Sequence, residues 1–127
     1  MNRYVKGARS ERELISILKD RGYSVMRAAG SGVNSLSPDV IAFKDKKGFA
    51  FECKAWNDSG ISIADDKIEA LKEWERNTGM VTFVAWRMQG REWFFIKPDE
   101  IKKTPSSHRI SKKEALRINR REDLFSG

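Results

Sequence analysis

The run GFAFECKAW, Gly48 to Trp56, constrains the fold more than any other stretch of the chain. Seven of its nine residues are Gly, Ala, Cys or aromatic, the composition of a strand entering a core. Alternation places Phe49, Phe51 and Cys53 on one face, and Glu52 and Lys54 together on the other. A full charge in so apolar a strand is costly unless a partner meets it. Either the sheet this strand joins brings partners to Glu52 and Lys54, or the two lie on a solvated edge.

The neighbouring segments supply such a sheet. ARSERELISILKDRG carries Ala8, Glu11, Leu14, Ile15 and Leu18 at helical spacing, with Gly22 as its stop. Ser10 and Glu13 have capping-box spacing, although Lys6 to Arg9 can continue the helix upstream. YSVMRA reads as a short strand, AGSGVNSLSP as a loop, and DVIAFK as a mostly buried strand. A turn at DKKG makes DVIAFK and FAFECKAW a hairpin, and NDSGIS reads as a loop. IADDKIEALKEWERNTG is an amphipathic helix closed by Gly79, and the strands MVTFVAWR and REWFFIKP follow around a turn at MQG. The order is helix, three strands, helix, two strands: an α/β fold with a mixed central sheet flanked by helices. Pro105 to Ser107 mark a boundary between a domain at 1–104 and a basic C-terminal tail at 105–127 with room for one short amphipathic helix.

Charge narrows the partners. The 127 residues carry a net charge of +7. From Lys102 to Asp123 there are eight Lys or Arg against three Asp or Glu, whereas the remainder holds seventeen against fifteen. That asymmetry points to a polyanion, nucleic acid before anionic membrane, with a plainly solvated tail as the bland alternative. One Cys and one His exclude a zinc site on ligand count. A lone Cys53, no apolar run near the ~20 residues of a membrane span and no secretory signal predict a cytoplasmic protein. Trp56, Trp74, Trp86 and Trp93 could stack on bases, but three of them lie in strand or helix periodicity and suit a core or an interface.

Three acids occupy positions that need explaining. Asp39 stands at the mouth of DVIAFK and comes opposite the Glu52–Lys54 end if the hairpin forms. Glu11 shares the apolar stripe of the first helix. A divalent cation held by Glu11, Asp39 and Glu52, with Lys54 beside it, accounts for all three, and an all-oxygen set suits Mg²⁺, with Mn²⁺ able to substitute. The alternative is an exposed edge strand with a solvated ion pair, a wet Glu11 and a turn aspartate.

Pro38–Asp39 followed by Glu52–Cys53–Lys54 resembles the signature of the PD-(D/E)xK nuclease superfamily, and the chain from about Lys6 to Ile101 resembles the archaeal Holliday junction resolvases within it. The resemblance implies a restriction-endonuclease-like nuclease core and an Mg²⁺-dependent endodeoxyribonuclease that resolves four-way junctions by paired symmetric nicks. It implies Asp39 and Glu52 as metal ligands, Glu11 as a helix-borne acid at the metal, Lys54 as the residue that orients water, and Ser31 as a catalytic loop serine. Arg12 and Arg27 match DNA-contacting positions, and Lys6 and Arg9 extend that basic surface. A two-fold homodimer on junction DNA is also implied, to which apolar strands such as WFFI add surface. A restriction- or repair-type nuclease of the same superfamily and a non-catalytic DNA-binding module are the alternatives.

Overall fold

The computed structural model describes residues 3–28, 36–56, 58–88 and 92–125, with the side chains of 3–8 and 122 excepted. The expected turn at MQG and the loop serine Ser31 lie outside the described residues.

The central sheet has five strands in the order β1 (Ser24–Arg27), β2 (Val40–Lys44), β3 (Lys47–Ala55), β5 (Val81–Arg87) and β6 (Trp93–Ile96). β3 and β5 run parallel, and the other neighbours pair antiparallel. The parallel pair requires a crossover, which is built from β4 (Gly60–Ile63) and α2 (Asp65–Thr78). Gly79, at φ +75°, closes α2 in the left-handed conformation that glycine adopts without steric cost. The β2–β3 hairpin turns on Asp45 and Lys46, both at positive φ, with Lys44 opposite Lys47. This is the two-residue primed geometry that matches strand twist, here made without glycine.

α1 (Arg3–Asp20) covers one face of the sheet, with Leu14 and Leu18 against Phe51, Phe83, Ala85 and Phe95. It begins well before Ser10, so Ser10 is a buried residue inside the helix, and Glu13 pairs with Arg87 instead of capping. The other face packs Val84, Trp86, Phe94 and Ile96 against Ile68 and Leu71 of α2 and against Ile61, Ile63 and Ile110. Those last three isoleucines belong to a small sheet ordered β4–β8–β7, with β7 at Lys102–Lys103 and β8 at His108–Ser111.

Two segments differ from the sequence expectation. NDSGIS was expected as a loop, but Gly60 starts β4, where an added Cβ would come within 2.7 Å of the Ile110 carbonyl oxygen. The stretch after Thr104, expected as a basic tail with one short helix, forms β8, α3 (Lys112–Ile118) and α4 (Arg121–Phe125). It is fastened to the sheet. The Phe95 amide donates to Asn119 Oδ1 at 2.9 Å, the Tyr23 hydroxyl donates to the Leu124 carbonyl at 2.8 Å, and Leu124 and Phe125 enter the core under α1. β6, the WFFI strand, is buried throughout and so offers no surface to a second subunit.

Candidate active site

The hairpin register decides where the charges meet. Val40 lies opposite Phe51, so Asp39, one residue earlier, falls beside Glu52, and both side chains leave the sheet on the α2 face. Asp39 is fixed there by two backbone bonds: its amide donates to the Phe51 carbonyl, and its Oδ2 accepts from the Cys53 amide at 2.8 Å. Glu52 is 5% exposed, and Lys67 of α2 stands 3.8 Å away. Lys54 follows two residues later on the same face, opposite Trp86.

Burial dominates the electrostatics of this pair. Desolvation first, then repulsion from Asp39, pushes the Glu52 carboxyl up to about 7, against the partial relief of Lys67 and Lys54. Asp39 is likewise raised, chiefly by desolvation, although the Cys53 amide, Lys67, Lys54 and Arg27 favour its charged form. Burial and the same acids push the Cys53 thiol well up, which removes it from consideration as a thiolate nucleophile. A buried and a half-buried carboxylate side by side, both raised by desolvation despite the cations around them, form an all-oxygen donor set that a hard divalent cation would neutralise, so the chemistry of these residues fits such a metal.

Glu11 takes a different position. α1 lies on the opposite sheet face, and Glu11 there accepts from Arg27 Nε at 2.8 Å. Among the described residues no group of three or more Asp, Glu, His or Cys is arranged to hold a metal ion. Asp39 and Glu52 are thus brought together, while Glu11 reaches them only through its field, which raises Glu52. Arg9 and Arg12 are exposed on α1, and Arg27 is exposed at the end of β1 beside the acids. The Lys6 backbone lies in α1, its side chain outside the description.

Lys67 was not singled out from the sequence. It sits at the third position of α2, and only the packing of that helix over β3 brings it to Glu52. The signal available was its place in the first turn of an amphipathic helix that follows the charged strand.

A mixed sheet with an Asp–Glu pair, its Glu buried, and a lysine two residues beyond that Glu defines a restriction-endonuclease-like nuclease core. Residues 2–125 match the archaeal Holliday junction resolvase (Hjc) family, and the chain belongs to it. It is 31% identical over 120 residues to the crossover junction endodeoxyribonuclease Hjc of Sulfolobus acidocaldarius, across 92% of this chain and 83% of that one. Against the Hjc of Methanocaldococcus jannaschii the identity is 35% over 98 residues, covering 76% and 69%. The structure of Archaeoglobus fulgidus Hjc, described as a Holliday junction resolvase from an archaeal hyperthermophile, superposes with a TM-score of 0.80 at 26% identity, covering 87% of this chain and 92% of that one. A bacterial homing endonuclease shares the fold alone, at TM-score 0.57 and 11% identity.

Proposed function

We propose that this protein is a structure-selective endonuclease that resolves four-way DNA junctions by Mg²⁺-dependent phosphodiester hydrolysis, acting as a homodimer that makes paired symmetric nicks. The observation that carries the reading is the Asp39–Glu52 pair, in which a buried Glu52 lies beside a half-buried Asp39 with Lys54 on the same face, and in which desolvation holds both carboxyls above their ordinary range. Family membership supports the substrate.

In this reading Asp39 and Glu52 hold the cation. When bound, a divalent cation neutralises charge on the pentavalent transition state and acidifies a water. Asp39 is oriented for that task by the Cys53 amide, which fixes one carboxylate oxygen and leaves the other available. Lys54 places a positive charge on the same face, where negative charge develops on the phosphate oxygens. Glu11 stays paired with Arg27 until a backbone phosphate competes for the guanidinium, and then adds a third carboxylate near the site. Arg9, Arg12 and Arg27 take the flanking phosphates, with Lys6 of the same helix.

The homodimer reading rests on the α2-side face of β1 and β2. Met26 is opposite Ile41, and Phe43 is two residues further on the same face. Met26 is 65% exposed and Phe43 is 46% exposed, an apolar patch on an edge of the sheet. Two active sites related by a two-fold axis would match two strands of a four-way junction.

Purified protein with Mg²⁺ is tested on a synthetic four-way junction and a linear duplex of the same sequence. Paired nicks in the junction alone, absent in Asp39→Asn with binding retained, are expected. Equal cutting of both DNAs would move the protein to the restriction- or repair-type reading, and tight binding without cutting would leave a DNA-binding module.

A further inference from the structure

A cavity of about 430 Å³ opens beside the end of β3, and apart from Lys54 its lining residues have no part in the mechanism above. Its lining includes Lys54 and Trp56 from the end of β3, Asp58, Ile61 and Ser62 from the segment that follows, and Arg109 of β8. Lys54 belongs to both the cavity and the catalytic strand, so whatever fills the cavity adjoins the scissile phosphate.

The walls are held in place. Arg109 Nη1 donates to Ser62 Oγ at 3.1 Å across the β4–β8 pair. The Trp56 carbonyl accepts from Trp86 Nε1 at 2.8 Å, and the Trp56 side chain packs against the buried cluster that contains Ile61. Asp58 is held below the usual carboxylate range, first by the Ser59 amide and then by the Trp56 indole, so it is an acceptor at neutral pH.

These groups do not suit a bare anion, because Asp58 opposes it, nor an apolar molecule, because two cations, Lys54 and Arg109, are among the lining residues. They suit a nucleotide. The cations take a phosphate, the indole gives a base a stacking surface, and the carboxylate accepts from a base amino group. A base stacked within a duplex cannot enter such a cavity. At a branch point unstacking costs least, as it does for any base that has already lost its partner.

We propose that this cavity is a subsite for one unstacked nucleotide adjoining the scissile phosphate, with its phosphate toward Arg109 and its base against Trp56 and Asp58, and that it contributes to selection of branched over linear DNA. The proposal rests on the nuclease reading above.

The test uses the full-length protein carrying Asp39→Asn, which keeps the junction uncut, and a junction series with one abasic site at each nucleotide around the cleavage position mapped with the wild type. Trp56→Leu is expected to weaken binding of the intact junction by roughly tenfold, the scale of one base–aromatic stack. The loss should vanish on one abasic junction, where the base that stacked is gone. Arg109→Gln is expected to reduce the slope of log affinity against log salt by about 0.9, one phosphate contact. Ser62→Ala, which frees Arg109 from its hydrogen bond without removing its charge, should leave that slope unchanged. If Trp56→Leu loses the same factor on every junction, or Arg109→Gln keeps the wild-type slope, the subsite is refuted while junction cutting by the wild type stands. If the wild type fails to cut the junction, the nuclease reading falls and takes the subsite with it.

Discussion

Replacing Glu52 by Gln isolates what burying that carboxyl beside Asp39 costs the fold. Glu52 titrates near 7 in the folded protein against an ordinary value of 4.5, a difference of about 2.5 units caused by burial and by Asp39. At 1.36 kcal/mol per unit, that is on the order of 3 kcal/mol. The sign follows from proton binding. Between pH 4.5 and about 7 the folded state keeps the Glu52 proton while the unfolded chain releases it, so raising the pH through this window favours unfolding. The metal-free protein should therefore carry no penalty from Glu52 below pH 4.5 and nearly the full penalty at pH 8.

The difference between Glu52→Gln and wild type is the quantity to follow, because it cancels the groups shifted the other way. Asp65, Glu75 and Glu100 are held below their ordinary values by cations and backbone donors, and they stabilise the fold above that range and lose their contribution as the pH falls. Denaturant unfolding in EDTA at several pH values between 4.5 and 8 is expected to show Glu52→Gln more stable at pH 8, by about 3 kcal/mol or roughly 10 °C in Tm for a domain of this size. The gap should close toward pH 4.5. A gap that is constant with pH, or one that widens on acidification, would refute the assignment of the penalty to Glu52. Saturating Mg²⁺ at pH 8 should raise the Tm of the wild type and raise that of Glu52→Gln much less, since only a ligand bound by the folded state stabilises it.

Three further outcomes are expected. Lys46→Gly should stabilise the protein by about 0.5 kcal/mol in denaturant unfolding, because a non-glycine residue at φ +66° carries left-handed strain that glycine lacks, offset in part by the greater freedom of glycine when unfolded; destabilisation would show that the hairpin turn is not so formed. Arg27→Gln should lower the salt dependence of junction binding by about one phosphate, a slope change near 0.9, and an unchanged slope would confine Arg27 to its pair with Glu11. Phe43→Asp should convert a dimer to a monomer in sedimentation with little change in Tm, since Phe43 lies in the exposed patch; an unaltered dimer would move the interface elsewhere.

The sheet and its acid pair were legible because their signals are local. Alternation in β3, the glycine stop of α2 and the hairpin between β2 and β3 all act within a few residues, and the hairpin alone brings Asp39 to Glu52. β4 was not legible. Only Ile61 and Ile63 mark it, and its partner β8 lies almost fifty residues away, so no window along the chain contains the pair. The segment after Thr104 was legible only in part, since α3 falls where a short helix was expected but the packing of the segment was not foreseen, for a related reason. Its charge dominates its composition, whereas the residues that bind it to the domain are spread thinly: Ile110 and Ala115 in one cluster, Leu124 and Phe125 in the other, with Asn119 on the β6 backbone. The pairing of Glu11 with Arg27 is also long-range, across the gap between α1 and the end of β1, and equal spacing along the helix could not distinguish a metal ligand from an ion-paired residue.

The packing of that segment bears on function, because through Arg109 it contributes to the lining of the cavity beside Lys54. With residues 105–127 as a tail, its positive charge would act only as a diffuse attraction for DNA, graded by salt and indifferent to shape. Packed as β8, the same stretch fixes Arg109 against Ser62, beside Lys54 and Trp56, on the face that carries Asp39 and Glu52. A charge held at a defined position among aromatic and acidic neighbours can distinguish an unstacked strand from a duplex, which a tethered charge cannot. Shortening the chain at Thr104 would thus remove more than affinity. It would strip β4 of its pairing partner and remove the Leu124 and Phe125 side chains from the core under α1, so the truncated protein should lose cooperative unfolding together with junction binding. A truncated chain that unfolds cooperatively at the wild-type Tm would refute this placement of the C-terminal segment.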